Sequence, residues 1–386
     1  MSPYPRARPV IEDFGYARTR RTLSSTAKLL SALNLDGPLL VGLGFLALYG
    51  LAILYSASGQ SIDTVLRTLV RIALGTAAML ALTHASPNLL RRLSPWIYVI
   101  GIVLLLVVEL TGVIGKGAQR WLNLGIVRFQ PSEIMKLAVP MLAAWYLHDR
   151  PLPPDWRAML MLAVIIFLPA GLVAMQPDLG TAALIAASGA LLALMAGLSL
   201  RIVIVLLLLA VGGAFAGWHF LHDYQRERVL TFLNPQTDPL GAGYHIIQSQ
   251  IALGSGGVFG KGWMHGSQAQ LQFLPERSTD FIFAVVGEEF GLIGLILLLA
   301  LYLFIVARAL WLAMQTNDTY SRLLGLCIAL TFFVYVFINA GMVSGLLPVV
   351  GVPLPLVSYG GTSVVTLLAG FGILMGLYSH RKLVGS

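Results

Sequence analysis

Three carboxylates follow a basic, proline-containing stretch in the segment LPERSTDFIFAVVGEEFG, which covers residues 274–291. The second half of the segment is apolar enough for a membrane helix, yet it contains Asp280, Glu288 and Glu289. Carboxylates at membrane depth are costly and are functional candidates by default. An ionised carboxylate can act as a general base, whereas a buried one can instead pair with a cation and fix packing.

The spacing predicts that Asp280 and Glu288 lie on one face of a helix. Ser278 and Thr279 can cap a helix that begins at Asp280, whose carboxylate would favour the positive helix end. Positions i, i+4, i+7, i+8 and i+11 from Asp280 carry only small or acidic residues, and Glu288 would lie about 12 Å deeper. We expect Asp280, at the membrane interface, to be a functional carboxylate, Glu288 a packing or cavity partner, and Glu289 a structural residue.

Cations in the preceding segment, 220–279, suit an anionic ligand such as a pyrophosphate. The glycines of GSGGVFGKG, residues 254–262, would let backbone amides approach an anion, although ordinary turn chemistry explains them equally well. The string is not a Walker A loop, because Ser255 and Gly262 stand where Gly and Ser/Thr are required. The cations are Arg226, Arg228, Lys261 and Arg277.

Two other polar motifs begin apolar runs. In PSEIMKLAVP, Glu133 and Lys136 are three residues apart and can form an ion pair, which is either structural or part of a substrate site. In QPDLG, Asp178 could bind substrate or simply cap the helix that follows.

The string PLPLVSYGGTS, residues 353–363, precedes the last apolar run and contains Ser358, Gly360 and Gly361. Irregular backbone at membrane depth is tolerated where it is buried in protein or lines a cavity. The motif is therefore a candidate substrate-binding loop, and a turn followed by a helix cap is the alternative.

The elements that position these motifs must be membrane helices. The 386 residues are 57% hydrophobic and 11% charged, which indicates an all-α polytopic membrane protein. The single cysteine, Cys327, excludes a disulfide framework. His219, His245 and His265 show no metal-ligand spacing, so no protein metal site is predicted. The net charge of +8 is typical of cytoplasmic membrane loops and requires no nucleic-acid partner.

Ten apolar runs are long enough to span a bilayer, and they predict ten transmembrane helices with a large extracytoplasmic loop, 220–279, between the seventh and the eighth. The predicted spans are 39–58, 66–84, 94–114, 131–148, 158–175, 178–197, 200–219, 280–307, 321–345 and 362–380.

Basic residues predict the orientation of this 39–380 membrane domain. They concentrate in the N-terminal tail, 1–38, and in loops that contain Arg91, Arg150, Arg201 and Arg308, which marks that side as cytoplasmic. The tail has no signal-peptide apolar region, and the C-terminal residues 381–386 lie on the same side. The motif-bearing segments 115–130, 176–180, 220–279 and 349–363 then all face outward.

Together these motifs resemble the SEDS family (shape, elongation, division and sporulation), most closely its rod-shape branch, RodA. The resemblance covers about residues 40–380 in order and is carried by the strings GAQRWLNLG, FQPSEIMKLA, QPDLGTA, FLPERSTDFIFAVVGEEFG and LPLVSYGGTS.

The resemblance implies a peptidoglycan glycosyltransferase of the bacterial inner membrane, acting in cell-wall elongation and cell shape. Its substrates would be lipid II and the nascent lipid-linked glycan, and its partner a class B penicillin-binding protein. Asp280 matches the family's catalytic aspartate, and Trp121, Glu133 and Lys136 match its other motif residues.

The chemistry agrees with these residues. Displacement of undecaprenyl pyrophosphate from an α-linked sugar gives a β-linked product in one inverting step, for which one carboxylate base suffices. The pyrophosphate needs neutralisation by cations or by a divalent ion, Mg²⁺ or Mn²⁺, although the sequence requires no cofactor. The alternative is a lipid II flippase without catalytic activity, which would distribute polar residues across the bilayer rather than gather them at the outer face.

Overall fold

The structure, a computed structural model, describes residues 33–115, 118–123, 128–198, 242–271 and 273–380, with isolated residues between 202 and 234. Helices dominate these residues, and three short strands lie between residues 113 and 129. The helices are α1 (Gly37–Ala57), α2 (Ile62–Thr83), α3 (Pro87–Thr111), α4 (Pro131–Leu147), α5 (Trp156–Met175), α6 (Leu179–Met195), α7 (Ala242–Ser255), α8 (Ser267–Gln270), α9 (Ile282–Met314), α10 (Thr319–Val343) and α11 (Ser363–Ser379). The strands are β1 (Val113–Gly115), β2 (Ala118–Asn123) and β3 (Arg128–Phe129).

The predicted all-α polytopic membrane architecture is confirmed. Six helices (α1, α2, α3, α5, α9 and α10) are long and apolar enough to cross a membrane, and α6 and α11 are shorter apolar helices. Helices lie at nine of the ten predicted spans, whereas most of the seventh, 200–219, lies outside the described residues. The segment 220–279, predicted only as a loop, also contains α7 and α8.

Polar caps explain where several helices begin. In each case the side-chain oxygen of the capping residue accepts a hydrogen bond from an amide in the first turn, which satisfies a donor that the helix leaves unpaired. For this reason α2 begins at residue 62, after the cap at Ser61, rather than at the predicted residue 66. The capping residues are Asp36, Ser61, Ser86, Asp155, Asp178 and Asp318.

Packing divides the buried apolar side chains into two large groups. One group joins α1, α9 and α11 to the C-terminal half of α10, and the other joins α3, α4, α5 and α6 to its N-terminal half. Although only residues 84–86 connect α2 with α3, α2 packs mainly on α11 and α3 mainly on α4. Helix α10 therefore lies at the centre, where it can support elements from both groups.

The prediction that Arg308 lies in a loop is wrong, because α9 continues to Met314. Its guanidinium donates two hydrogen bonds to the Asp36 carboxylate, with Nε 2.9 Å from Oδ1 and Nη2 2.7 Å from Oδ2. Its Cζ also lies 4.2 Å from the centre of the Trp311 ring. These contacts explain how a helix can retain the charge near its end.

Helix α9 is interrupted at Gly291, whose φ of 64° and ψ of −160° are not helical. The amides beyond the break, those of Leu292 and Ile293, donate to backbone carbonyls of the glycine-rich loop 254–262 at 3.0 and 3.2 Å. The loop thus replaces the hydrogen bonds that the break removes from the helix.

The same loop contacts the carbonyls before the break. Lys261 N donates to Glu288 O at 3.0 Å, and Gly262 N donates to Glu289 O at 2.9 Å. A Cβ on Gly260 would stand 2.2 Å from Glu289 O, so the glycine permits this close approach. The structure therefore uses these amides for docking on α9, which agrees with the structural reading of the glycines.

The three strands form an antiparallel sheet of order β1-β2-β3 within the segment predicted only as an outer loop. Val113 pairs with Trp121, and Leu122 pairs with Phe129. The sheet fixes the position of Trp121 between α3 and α4.

Candidate active site

Asp280 lies in the turn before α9 and is partly buried. The predicted helix start at Asp280 and its capping by Ser278 and Thr279 are wrong, because α9 begins at Ile282 and its N-cap, Phe281, makes no side-chain cap bond. The Thr279 hydroxyl instead donates to Glu276, with its oxygen 2.7 Å from Oε2. Asp280 thus lies just outside the helix.

The segment 349–363 supports the Asp280 turn from one side. Ser358 Oγ lies 2.5 Å from Thr279 O, and Tyr359 N donates to Ser278 O at 2.8 Å. Gly351, at φ 72°, lies beside the carboxylate: a Cβ there would be 3.4 Å from Asp280 Oδ2. The predicted substrate loop and the predicted base therefore belong to one site.

Glu288 is fully buried and has several partners. Lys261 Nζ and Ser267 Oγ lie 2.7 and 3.2 Å from its Oε1. The amides of Gln268 and Ala269 donate to its two oxygens at 2.9 and 3.1 Å, which caps α8. These contacts agree with the packing role of Glu288.

Glu289 is also buried, and it accepts a hydrogen bond from the Ser56 hydroxyl of α1. Gln270 Nε2 lies 3.3 Å from the same hydroxyl, so the carboxylate belongs to a polar network between α1, α8 and α9. Glu289 therefore has the structural position that its sequence suggests.

The structure describes three of the four predicted cations, and each has a different neighbour. Arg277 lies against the α1–α2 turn, and its Nη1 is buried without a hydrogen-bond partner among the described residues. Burial lowers the pKa of its guanidinium from the usual value. Lys261 is engaged by Glu288, and Arg226 Nε donates to Trp218 O at 3.0 Å. Arg228 lies outside the described residues.

Glu133 and Lys136 form the predicted ion pair, with Nζ 2.7 Å from Oε1, and both side chains are buried. Ser363 Oγ lies 3.1 Å from the same oxygen, whereas Glu133 Oε2 has no hydrogen-bond partner within the described ranges. Lys136 Nζ also lies 5.2 Å from the centre of the Tyr335 ring. Lys136 lines a largely apolar pocket between α4, α10 and α11.

Trp121 lies against the predicted substrate loop, because a Cβ on Gly361 would stand 3.3 Å from its ring. On the other side of the loop, Arg71 of α2 stacks 4.5 Å from the centre of the Tyr359 ring. Arg71 also donates to Gly360 O at 3.4 Å and to the Tyr359 hydroxyl at 3.2 Å. The paired glycines thus lie between an aromatic side chain and a cation.

Asp178 caps α6, with Oδ1 accepting from Thr181 N at 3.1 Å, as the sequence suggested. Its other oxygen lies 3.6 Å from Arg120 Nη1 and 3.2 Å from Gln130 Nε2. The neighbouring Gly180 approaches the segment 349–363, since a Cβ there would stand 2.3 Å from the carbonyl of residue 350. All four outer motifs therefore meet around this segment.

Sequence reasoning missed several polar residues of this site. Arg71 lies within a predicted membrane span, where the signal was a cation inside an apolar run. Arg120 lies within the motif GAQRWLNLG but is not among the predicted site residues, although it pairs with Asp178. Asn339 lies fully buried in α10, and only its polar character in an apolar run could have indicated a role.

Comparisons with known proteins agree with this arrangement. The sequence profile of the FtsW, RodA and SpoVE family, described as cell cycle protein, matches residues 34–383. The peptidoglycan glycosyltransferase MrdB of Escherichia coli is 51% identical over 352 residues, which cover 91% of this chain and 95% of that protein. A probable peptidoglycan glycosyltransferase FtsW of Trichlorobacter lovleyi is 35% identical over 87% of this chain and 91% of its own.

Solved structures share the fold. A chain from a study of how a peptidoglycan synthase complex coordinates polymerization and crosslinking superposes with a TM-score of 0.79 at 32% identity, covering 90% of this chain and 98% of its own. The rod shape determining protein RodA of Thermus thermophilus gives a TM-score of 0.69 at 29% identity, covering 90% and 97%. The chain therefore belongs to the FtsW, RodA and SpoVE family of polytopic membrane proteins.

Proposed function

We propose that this protein is a peptidoglycan glycosyltransferase that joins lipid II disaccharides into glycan strands during cell-wall elongation. The observation that carries the proposal is the meeting of the family's outer motifs around Asp280 and the segment 349–363. The relatives named as peptidoglycan glycosyltransferases match over most of the chain and support this activity.

In the reaction, the 4-hydroxyl of one lipid-linked sugar attacks the anomeric carbon of another. A new C–O bond forms, the bond from the anomeric carbon to the pyrophosphate oxygen breaks, and its electron pair leaves with the polyprenyl pyrophosphate. Asp280 accepts the hydroxyl proton, because it is a carboxylate outside the helix at the centre of the site. A single displacement inverts the α-linkage to a β-linkage.

The leaving pyrophosphate needs positive charge. Arg277 is the strongest candidate among the four predicted cations, because Nη1 is buried without a hydrogen-bond partner in the described part of the chain. A guanidinium can bind phosphate oxygens in a bidentate manner. Lys261 is a weaker candidate because Glu288 engages its ammonium.

A divalent cation, Mg²⁺ or Mn²⁺, would fit this chemistry if substrate supplies most of its ligands. Within the described residues, no three His, Cys, Asp or Glu side chains converge into a metal cage. Mg²⁺ is commonly held by one or two carboxylates together with substrate phosphates, so Asp280 and a pyrophosphate could hold it. Such a cation would neutralise charge on the leaving group.

The remaining substrate contacts come from the surrounding motifs. Trp121, Ser358, Gly360 and Gly361 would line the sugar and phosphate path. Other predicted residues would either line the edge of this path or hold its lining side chains in place; they are Glu133, Lys136, Asp178 and Glu288. Arg226 and Arg228 remain candidates for the outer approach.

The proposed setting is the bacterial inner membrane, with the termini, 1–38 and 381–386, in the cytoplasm and the segment 220–279 in the periplasm. The distribution of basic residues supports this orientation. We also propose a class B penicillin-binding protein as the partner. The solved complex that coordinates polymerization with crosslinking supports such a partner.

The test is to purify the protein with its penicillin-binding partner and supply labelled lipid II in liposomes. Glycan strands should form, and blocking the partner's transpeptidase should leave uncrosslinked strands rather than stop their synthesis. Translocation of labelled lipid II without any polymer would instead favour the flippase alternative.

A further inference from the structure

Three consecutive carbonyls before α9 accept hydrogen bonds from groups outside that helix. These are the carbonyl oxygens of Ser278, Thr279 and Asp280, which lie just before α9 begins at Ile282. Their donors all come from α10 or from the segment 349–363. The donors are Tyr359 N at 2.8 Å, Ser358 Oγ at 2.5 Å and Asn339 Nδ2 at 2.8 Å.

Asn339 makes the contact at Asp280 itself. Its fully buried amide nitrogen lies 2.8 Å from Asp280 O and 2.8 Å from Val352 O. The NH₂ group must face the two carbonyl oxygens, because it has two protons to donate. If the side-chain amide were flipped, its oxygen would face two other oxygens with no proton between them. Both amide protons are therefore used, and one side chain of the central helix ties Asp280 to the segment 349–363.

Ser358 extends this support by one residue. Its hydroxyl donates to Thr279 O and accepts from Leu354 N at 2.8 Å, so it also connects the turn to the loop. Its side chain is buried, and substrate is not needed for either bond. The turn that carries Asp280 is thus fixed before any ligand binds.

We propose that Asn339 is a positioning residue for Asp280. This inference rests on the proposed function, because it assigns Asn339 to the geometry of the base. A general base must lie within hydrogen-bond reach of the proton that it accepts, and a displacement of about 1 Å can lower the rate about 100-fold. By pinning the backbone carbonyl of Asp280, Asn339 limits where its carboxylate can stand.

A merely structural Asn339 would predict a different pattern. Loss of its hydrogen bonds would then lower thermal stability and the amount of folded protein, while each folded molecule turned over normally. A positioning role predicts that folded molecules lose kcat, that KM stays nearly constant, and that the 275–284 backbone exchanges its amide hydrogens faster.

The test compares Asn339→Leu, which keeps a similar volume without donors, with Ser249→Ala as a matched control. Ser249 is also fully buried, and its Oγ lies 2.9 Å from both Ile246 O and Val343 O, which share its one hydroxyl proton, yet it makes no bond to residues 278–280. Both variants are purified as full-length chains in complex with the penicillin-binding partner. Steady-state polymerisation of labelled lipid II, thermal unfolding and hydrogen exchange are measured on the same samples.

We expect Asn339→Leu to lose about 100-fold in kcat with KM changed less than twofold. Exchange should rise in peptides covering 275–284 and remain unchanged there in Ser249→Ala, which should keep its kcat. If Asn339→Leu does not accumulate, Ser358→Ala tests the same clamp at Thr279 and should also lower kcat and raise exchange.

Wild-type kcat in folded Asn339→Leu would overturn the inference. Equal losses of kcat in Asn339→Leu and Ser249→Ala, in step with unfolding temperature, would overturn it as well. Either result leaves the proposed function intact provided that the wild type polymerises lipid II. A wild-type protein that makes no polymer would contradict the proposed function instead. In that case, unchanged hydrogen exchange over 275–284 in Asn339→Leu would still refute the proposal that Asn339 holds the Asp280 turn.

Discussion

Lys261 Nζ lies 2.7 Å from Oε1 of Glu288, although 27 residues separate them in the chain. This ion pair joins the glycine-rich loop to the segment of α9 between Asp280 and the break at Gly291. The loop therefore supports the helix that follows Asp280, and Lys261 has a structural role whether or not it contacts substrate.

Removal of one partner of this pair should destabilise the protein strongly. In Lys261→Met the fully buried Glu288 carboxylate loses its cation, which we expect to cost about 3–5 kcal/mol in free energy of unfolding. The double variant Lys261→Met/Glu288→Gln should recover part of that loss. Denaturant unfolding in detergent measures both.

The matched control is Asp63→Asn, which breaks the ion pair of Arg67 with Asp63 at 2.9 Å. Those side chains are 63% and 70% exposed, so solvent screens the pair and the free energy of unfolding should change little. Equal losses in Lys261→Met and Asp63→Asn would show that the Glu288 pair does not brace the helix.

The break in α9 should tolerate no side chain at its centre. In Gly291→Ala the Cβ would stand 2.4 Å from Gly260 N and 2.6 Å from Val258 O, at a φ of 64°. We expect little folded protein, measured by size-exclusion chromatography of the detergent-solubilised chain. Gly171→Ala is the control, because a Cβ there meets nothing within 4 Å and its helix should gain up to about 1 kcal/mol. Normal folding of Gly291→Ala would contradict the docking of the loop.

The Glu133–Lys136 pair can be separated into its structural and substrate-binding contributions. Lys136→Met should lower the free energy of unfolding by about 3–5 kcal/mol, because it leaves Glu133 charged and buried. Lys136→Met/Glu133→Gln should recover that stability but not polymerisation if the charges also contact substrate. A double variant that is stable and fully active would show that the pair serves packing alone.

The two interactions of Asp178 can be tested separately. Asp178→Ala should cost about 1–2 kcal/mol because it removes the N-cap of α6 as well as the contact with Arg120. Asp178→Asn keeps a capping oxygen and loses only the charge, so it should cost less. Denaturant unfolding checks this order, and an equal cost for both variants would indicate that the ion pair dominates.

Local patterns in the sequence predict the helices well and mark the motifs that lie close together in the structure. Apolar runs mark nine of the described helices, and Asp178 carries a recognisable capping signal. The motifs are recognisable because polar, glycine-rich strings between membrane spans are tolerated where they are buried in protein or line a cavity. These features depend on neighbouring residues alone.

The contacts that shape the site depend on distant segments and could not be predicted in this way. Asn339 meets Asp280 from 59 residues away, and Lys261 meets Glu288 only because α9 breaks at Gly291. The predicted cap at Asp280 failed because Ser358 and neighbouring donors take up the carbonyls of the turn. Tertiary hydrogen bonds there override the local capping preference.

The central claim is that Asp280 is the base, and Asp280→Asn tests it most directly. The variant keeps the volume of the side chain and the backbone carbonyl that Asn339 binds, but it cannot accept the proton. Glu276→Gln, which changes a carboxylate of the same turn, is the matched control.

The measurement is the rate of glycan-strand formation from labelled lipid II by each folded complex. Asp280→Asn should lose at least about 100-fold, the range expected for loss of a general base, while Glu276→Gln stays near the wild-type rate. Polymerisation by Asp280→Asn at the wild-type rate would contradict the account.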